Sequence, residues 1–355
     1  MIKNTITFLA GICLLLIGTT VSAQEINDPN DPTQMDYTEV DRYVKSLSGA
    51  SFLHVRDLVN KLTANFDTEA EKTRALFVWL THNVSYDCGA EDKSEQLKGK
   101  DRKKWKEWKT ERDKDFLPRV FKERKGAFND FAFFFKDMCD SAGVTVRLIP
   151  GYGRNDETRI GKRPPRRPNH AWNAVRLNEN WYLLDPTWAA GTTDCTAKTD
   201  RFEKKFGDHY YLTPPIRFIK DHLPEQEGWQ LIDDAYDRGD IETFFLGPQV
   251  FAGYFKSGID NVEPALGLLE MKEDTTIAFT FTSAAALDTV TVYRTRKVEN
   301  EYTTEELDTA PLTKEGENIY TYFFTPPEKG RRFYLTFAIK GEDVVTYRVV
   351  VSTGT

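Results

Sequence analysis

The chain has 355 residues, with 55 acidic against 48 basic side chains and a formal net charge of −7, which leaves no global electrostatic case for nucleic-acid binding. One hydrophobic core stops growing below this length, and an aromatic content of 13% is ample for two, so two domains are expected.

The first residues read as a targeting segment. Met1 and a single cation, Lys3, precede an apolar run from Phe8 to Gly18 broken only by Gly11, and the small residues Val21-Ser22-Ala23 follow. Residues 1–23 are therefore expected to be a secretory signal peptide cleaved near Ala23, leaving a secreted protein, periplasmic or extracellular. The apolar run falls short of the roughly 20 residues that a spanning helix needs, and no later run approaches it, so no membrane span is expected. Cys13 follows Ile12 within that run, not a small residue, which argues against a lipid anchor. Residues 24–36 are polar, with Pro29 and Pro32, and read as a mobile leader.

From residue 37 the pattern turns helical. Val40, Val44 and Leu47 recur at helical spacing, then Val55, Leu58, Val59 and Leu62. Thr68 and Glu71 have the spacing of a capping box and open a helix through Ala75, Val78 and Trp79. Lys98 to Lys125 is dense in charge, interrupted by Trp105, Trp108, Phe116, Leu117 and Phe121, as in a solvated amphipathic helix or insertion. A further helix reads from Asn129 to Ala142, ended by Gly143. Two strands follow, Ala171 to Leu177 and Trp181 to Leu184; being apolar on both faces, they are expected to be central in their sheet. Phe206 to Trp229 carries Pro214, Pro215 and Pro224 and reads as an irregular cover, in which His209 and His222 are expected as packing residues. Beyond Gly247, five β-branched and aromatic segments separated by turn signals predict a β-sandwich: Thr275 to Thr282, Asp288 to Arg294, Ile319 to Phe324, Arg331 to Ile339 and Val344 to Val351.

After residue 23 three cysteines remain, so they cannot all pair. Cys88 and Cys195 sit in polar sequence read as loops and could form a disulfide in an oxidising compartment; Cys139 lies in an apolar helical stripe and is expected to be a buried free thiol. No cysteine or histidine pair has the close spacing of a zinc site, so no metal and no cofactor are expected.

Four ordered segments carry the chemistry: Gly126-Ala127-Phe128-Asn129-Asp130-Phe131-Ala132, Gly151-Tyr152-Gly153, Asn169-His170-Ala171-Trp172-Asn173-Ala174-Val175, and Leu184-Asp185-Pro186-Thr187-Trp188. Together they resemble the transglutaminase-like superfamily, with its papain-like fold, and specifically bacterial secreted members similar to kyphoscoliosis peptidase. The resemblance runs from about Tyr37 to Leu231. It implies a transglutaminase-like domain, set at residues 37–247; with the strand-rich segments over 248–355 read as an Ig-like β-sandwich, the expected fold is α+β. The resemblance also implies a cysteine at a helix N-terminus, a histidine base and an orienting aspartate, an arrangement in which the helix end favours the thiolate. His170 and Asp185 match the last two. A two-residue turn at Asn178-Glu179 would set His170 opposite Thr187, with Asp185 its diagonal neighbour. The cysteine position falls on Phe128, and a benzyl group has no nucleophilic atom and no titratable proton. Cys139 cannot substitute, since eleven residues along one helix is about 16 Å.

The expected groove is lined by Phe128, Trp172 and Trp188. Beside it, Lys162-Arg163-Pro164-Pro165-Arg166-Arg167-Pro168 should project cations from a stiff loop, and Arg163, Arg166 and Arg167 are candidates for a positive rim selecting an acidic peptide or glycan. The expected function is non-catalytic binding of extracellular protein, peptide or polysaccharide. An active cysteine peptidase or protein-glutamine amine transferase with a displaced nucleophile is the other reading.

Overall fold

The computed structural model describes residues 31–47, 49–90, 100–104, 106–107, 110, 116–195, 201–233, 239–298, 301–326 and 332–352. The expected signal peptide, the leader up to residue 30, and Trp105 and Trp108 of the charged insertion lie outside the described residues.

Helices α1 (Thr38–Ser46) and α2 (Val55–Thr63) bury the residues their spacing singles out, Val40 and Val44 in the first and Leu58, Val59 and Leu62 in the second. Both lie against α3 (Glu69–Asn83). The capping box forms as expected: the Thr68 hydroxyl accepts from the Glu71 amide and the Glu71 carboxylate from the Thr68 amide, each at 3.2 Å. Surrounded by other elements, α3 is buried on every side from Ala75 to Leu80, which is why its sequence carries no polar face there.

Strand β1 (Ser85–Tyr86) pairs in parallel with β2 (Lys125–Gly126), and α4 (Phe116–Glu123) leads into the latter. This pairing delivers the chain to α5 (Phe128–Ser141), which begins one residue before the predicted start. Asp130 closes the helix entrance by accepting from the Ala127 amide at 3.0 Å. Gly126 is required there, because a Cβ would lie 2.7 Å from that of Asp130.

Next come β3 (Val146–Gly153), β4 (His170–Leu177), β5 (Asn180–Leu184), α6 (Pro186–Ala190), the hairpin β6 (Gly191–Asp194) and β7 (Arg201–Lys204), α7 (Pro215–Phe218) and β8 (His222–Pro224). The main sheet has the order β5-β4-β3-β8, antiparallel throughout. Helix α5 covers it, and Asn173 on β4 donates to the Ala132 carbonyl at 3.0 Å. Two expectations need correction. β5 is an edge strand, not a central one; its free side is covered by residues 210–213, where the Thr213 amide donates to the Leu183 carbonyl at 3.0 Å. The 206–229 segment is no mere cover either, because residues 222–224 pair with 151–153 and complete the sheet.

After α8 (Ile241–Leu246), β9 (Gln249–Val250) and α9 (Ala252–Lys256) come β10 (Ile259–Glu263), β11 (Leu268–Lys272), β12 (Ile277–Ser283), β13 (Thr289–Val298), β14 (Glu301–Pro311), β15 (Thr313–Lys314), β16 (Ile319–Phe324), β17 (Arg332–Ile339) and β18 (Glu342–Ser352). They form a β-sandwich. One sheet runs β10-β12-β16-β15 and the other β11-β18-β17-β13-β14, with β9 also on β18. Phe279 on the first packs on Phe337 and Tyr347 of the second, at ring distances of 4.6 and 4.9 Å. Each of the five predicted strands is present; β14 escaped the prediction because both its faces are largely exposed and no apolar alternation marks it. Residues from Asp36 onward form one compact unit.

Candidate active-site cleft

The β4–β5 hairpin turns at Asn178 and Glu179, whose φ angles of 47° and 69° are those of a type I′ turn. The resulting register pairs Asn173 with Leu184, which brings the first residue of β4 beside the residue that follows β5. The ladder stops at Leu184 because Pro186 has no amide hydrogen to donate. Asp185 instead caps α6, its Oδ1 accepting from the Thr187 and Trp188 amides at 2.7 and 3.3 Å. Its Oδ2 lies 2.7 Å from His170 Nε2. The two residues the sequence proposed as base and orienting acid therefore do meet, with His170 5% exposed and Asp185 fully buried.

Phe128, the first residue of α5, stands half-buried beside them, its ring centroid 5.6 Å from that of His170. On another side of the imidazole Trp188 stacks at 4.8 Å with a 21° interplanar angle. Phe128, His170 and Trp188 line a cavity of about 450 Å³, together with Tyr86, Phe206 and Phe251. Trp172 does not line it. Its ring lies one rung deeper in the sheet, fully buried over Gly151, where a Cβ would fall 2.3 Å from the indole.

The cations also differ from the expected rim. Arg163, Arg166 and Arg167 are exposed but do not line the cavity; only the ends of their loop reach it, at Asn155 and Asn169. The lining cations are Arg154, Lys205 and Lys256. The Arg154 guanidinium is turned into the fold, donating to the Phe244 carbonyl. Lys205 and Lys256 both pair with Glu342, at 3.4 and 2.8 Å. The C-terminal strands thus close part of the cleft. Gln249 to Ala252 line it, Val250 pairs with Val345 of β18, and the Phe251 amide donates to the Val344 carbonyl at 3.0 Å.

Cys88 and Cys195 form a disulfide. Cys88 is not in a loop, since residues 88–90 are helical and the Ala90 amide donates to Asp87 at 3.0 Å. The bridge ties Tyr86 on one side of the cavity to Gly191–Thr193 on another. Cys139 is a free thiol, fully buried, and burial pushes its pKa well up. Among the described residues no free, accessible thiol stands near His170.

Sequence reasoning missed one participant altogether. His222, read as a packing residue, is fully buried on β8 with Nε2 3.1 Å from Asp185 Oδ2 and Nδ1 2.5 Å from Asp221 Oδ1. The Tyr210 hydroxyl donates to Asp221 Oδ2 at 2.9 Å. Burial disfavours the charged ring, but Asp221 and Asp185 lift His222 to about 9. Burial likewise opposes the charged form of Asp185, and the two histidines outweigh it, holding the carboxyl well below its usual range. The local hint was the doublet Asp221-His222 in a short, proline-flanked stretch. His170, Asp185 and His222 place three donor atoms within 4.8 Å, the proximity a metal ion would need; a proton-sharing array accounts for the same spacing through the hydrogen bonds already present.

A family model described as the transglutaminase-like superfamily matches residues 56–186. The chain is 31% identical to kyphoscoliosis peptidase of Homo sapiens over 196 residues, covering 55% of this chain and 27% of that protein. The Mus musculus kyphoscoliosis peptidase is 32% identical over 178 residues, covering 50% and 24%. Hillarin of Drosophila melanogaster is 25% identical over 250 residues, covering 68% and 28%. The chain therefore spans about a quarter of the length of these relatives. The matched region contains both the helix that starts at Phe128 and the hairpin that leads from His170 to Asp185, so the chain carries a transglutaminase-like domain.

Proposed function

We propose that this protein is an exported, non-catalytic member of its superfamily whose cleft binds a segment of extracellular protein, peptide or polysaccharide. The observation that carries the reading is Phe128 beside an intact His170–Asp185 pair. Attack on a carbonyl needs a nucleophilic atom, and a benzyl side chain has none. The free cysteine that remains is sealed in the core, and the other two of the mature chain are bonded to each other. An aromatic cavity with a few fixed polar groups is suited to binding without turnover. The disulfide supports an oxidising compartment, in agreement with the signal-like first residues, and hence a secreted or periplasmic location. The strand order supports an Ig-like domain, with β10-β12-β16-β15 as a four-stranded sheet and β13, β17 and β18 adjacent in the sheet that faces it.

The purified protein is expected to show no turnover with a primary amine and a glutamine-containing acceptor, or with casein. Turnover abolished by His170→Ala would overturn the reading in favour of a peptidase or amine transferase. Capture of matrix or envelope material by the unaltered chain, lost in Trp188→Ala, is the positive result expected.

A further inference from the structure

Asp185 is held by two histidines, although the superfamily resemblance calls for one. Its Oδ2 faces His170 Nε2 at 2.7 Å and His222 Nε2 at 3.1 Å, while Oδ1 is occupied by two amides of α6. His222 also meets a carboxylate at its other nitrogen, Asp221 at 2.5 Å. A neutral imidazole offers one N–H and one lone pair. Between two ionised carboxylates a lone pair would face oxygen lone pairs, so both ring nitrogens carry protons and both bonds are charge-assisted. The groups around the ring are Asp221 just before its strand, Asp185 at the cap of α6, His170 on β4, and Tyr210 and His209 in an earlier turn.

The ring cannot swing away. Phe218 stacks on it at 4.1 Å with a 21° angle, Trp188 lies at 4.2 Å, and Trp172 meets it edge-on at 5.0 Å. Pairing of β8 with β3 fixes its backbone. At the other end of the array, His170 lines the cavity, and its Nδ1 makes no hydrogen bond among the described residues.

We propose that His222 is a positioning residue: doubly protonated and clamped by Asp221, it fixes the orientation of Asp185, and Asp185 in turn holds the His170 ring with Nε2 inward and Nδ1 free to take a proton from position 128. The array also joins β4, β8 and α6. In Phe128→Cys, the thiol proton passes to His170 Nδ1. A thiolate is left at the start of α5, and an imidazolium is balanced by Asp185.

The test needs no knowledge of the ligand. Iodoacetamide alkylation of Phe128→Cys is followed against pH by peptide mass spectrometry; the buried Cys139 and the bonded Cys88–Cys195 pair keep the background low. The expected profile has its midpoint below the roughly 8.5 of a free thiol. Adding His222→Phe raises that midpoint and slows alkylation at neutral pH about ten-fold, the ratio that a pKa rise of about one unit gives. His222→Gln, which keeps one N–H toward Asp185, recovers part of the rate. Superimposable profiles with and without His222→Phe would overturn the proposal. Should that variant not fold, nitrogen NMR of the unaltered chain decides: protons on both His222 nitrogens and on His170 Nε2 at neutral pH are expected, and a singly protonated His222 refutes it.

Discussion

Replacing Cys88 and Cys195 with serine removes the one cross-link seen among the described residues and tests how the cleft is held. The bridge closes a loop of 107 residues. In the chain-entropy treatment, a loop of that length restricts the unfolded chain by about 4.8 kcal/mol at 25 °C. Domains of this kind are stable by about 5–15 kcal/mol, so the loss is large but leaves a folded protein. With an unfolding entropy of about 2.1 cal/mol/K per residue over the unit from Asp36 to Thr355, it corresponds to a fall in Tm of about 7 °C. The effect reaches the site because the bridge links Tyr86 to Gly191–Thr193 across the cavity. Urea unfolding of the double variant, and of the unaltered chain with and without reductant, measures it through the midpoint at constant m-value. A change below about 1 kcal/mol would refute the argument, since a cross-link over so long a loop would then not be restricting the unfolded ensemble.

Stability should be pH-dependent on both sides. Asp185 titrates below its usual range in the folded chain, so its contribution is complete above about pH 4 and is lost as the pH falls. His222 is lifted from 6.5 to about 9, so its contribution is complete below its unfolded value and is lost as the pH rises through about 9. Urea midpoints across the pH range should trace both limbs, and His222→Phe should flatten the alkaline one. In the sandwich, Phe279 is fully buried between the sheets, and Phe279→Ala is expected to cost about 3–5 kcal/mol by denaturant unfolding; a cost under about 1 kcal/mol would mean that the sheets do not share a core.

What could be read from the sequence was local. The spacing of Val40, Val44, Leu58 and Leu62, the Thr68–Glu71 box, the Asn178-Glu179 turn and the alternation of the C-terminal strands are short-range patterns, and each recurs in the fold. The turn set the register that brings His170 to Asp185, and the resemblance to the superfamily put Phe128 at the start of a helix, one residue ahead of where periodicity alone began it. The tertiary structure decided what depends on pairing between distant segments. His222 reaches Asp185 across 37 residues because β8 joins β3, a short edge pairing with no periodic signal of its own. Trp172 is sealed and Trp188 exposed to the cavity because one lies along the sheet and the other on the helix at its end. The basic loop misses the cavity, and the strands after Gly247 supply a wall instead, because chain direction after a long loop is set by packing and not by the residues within it.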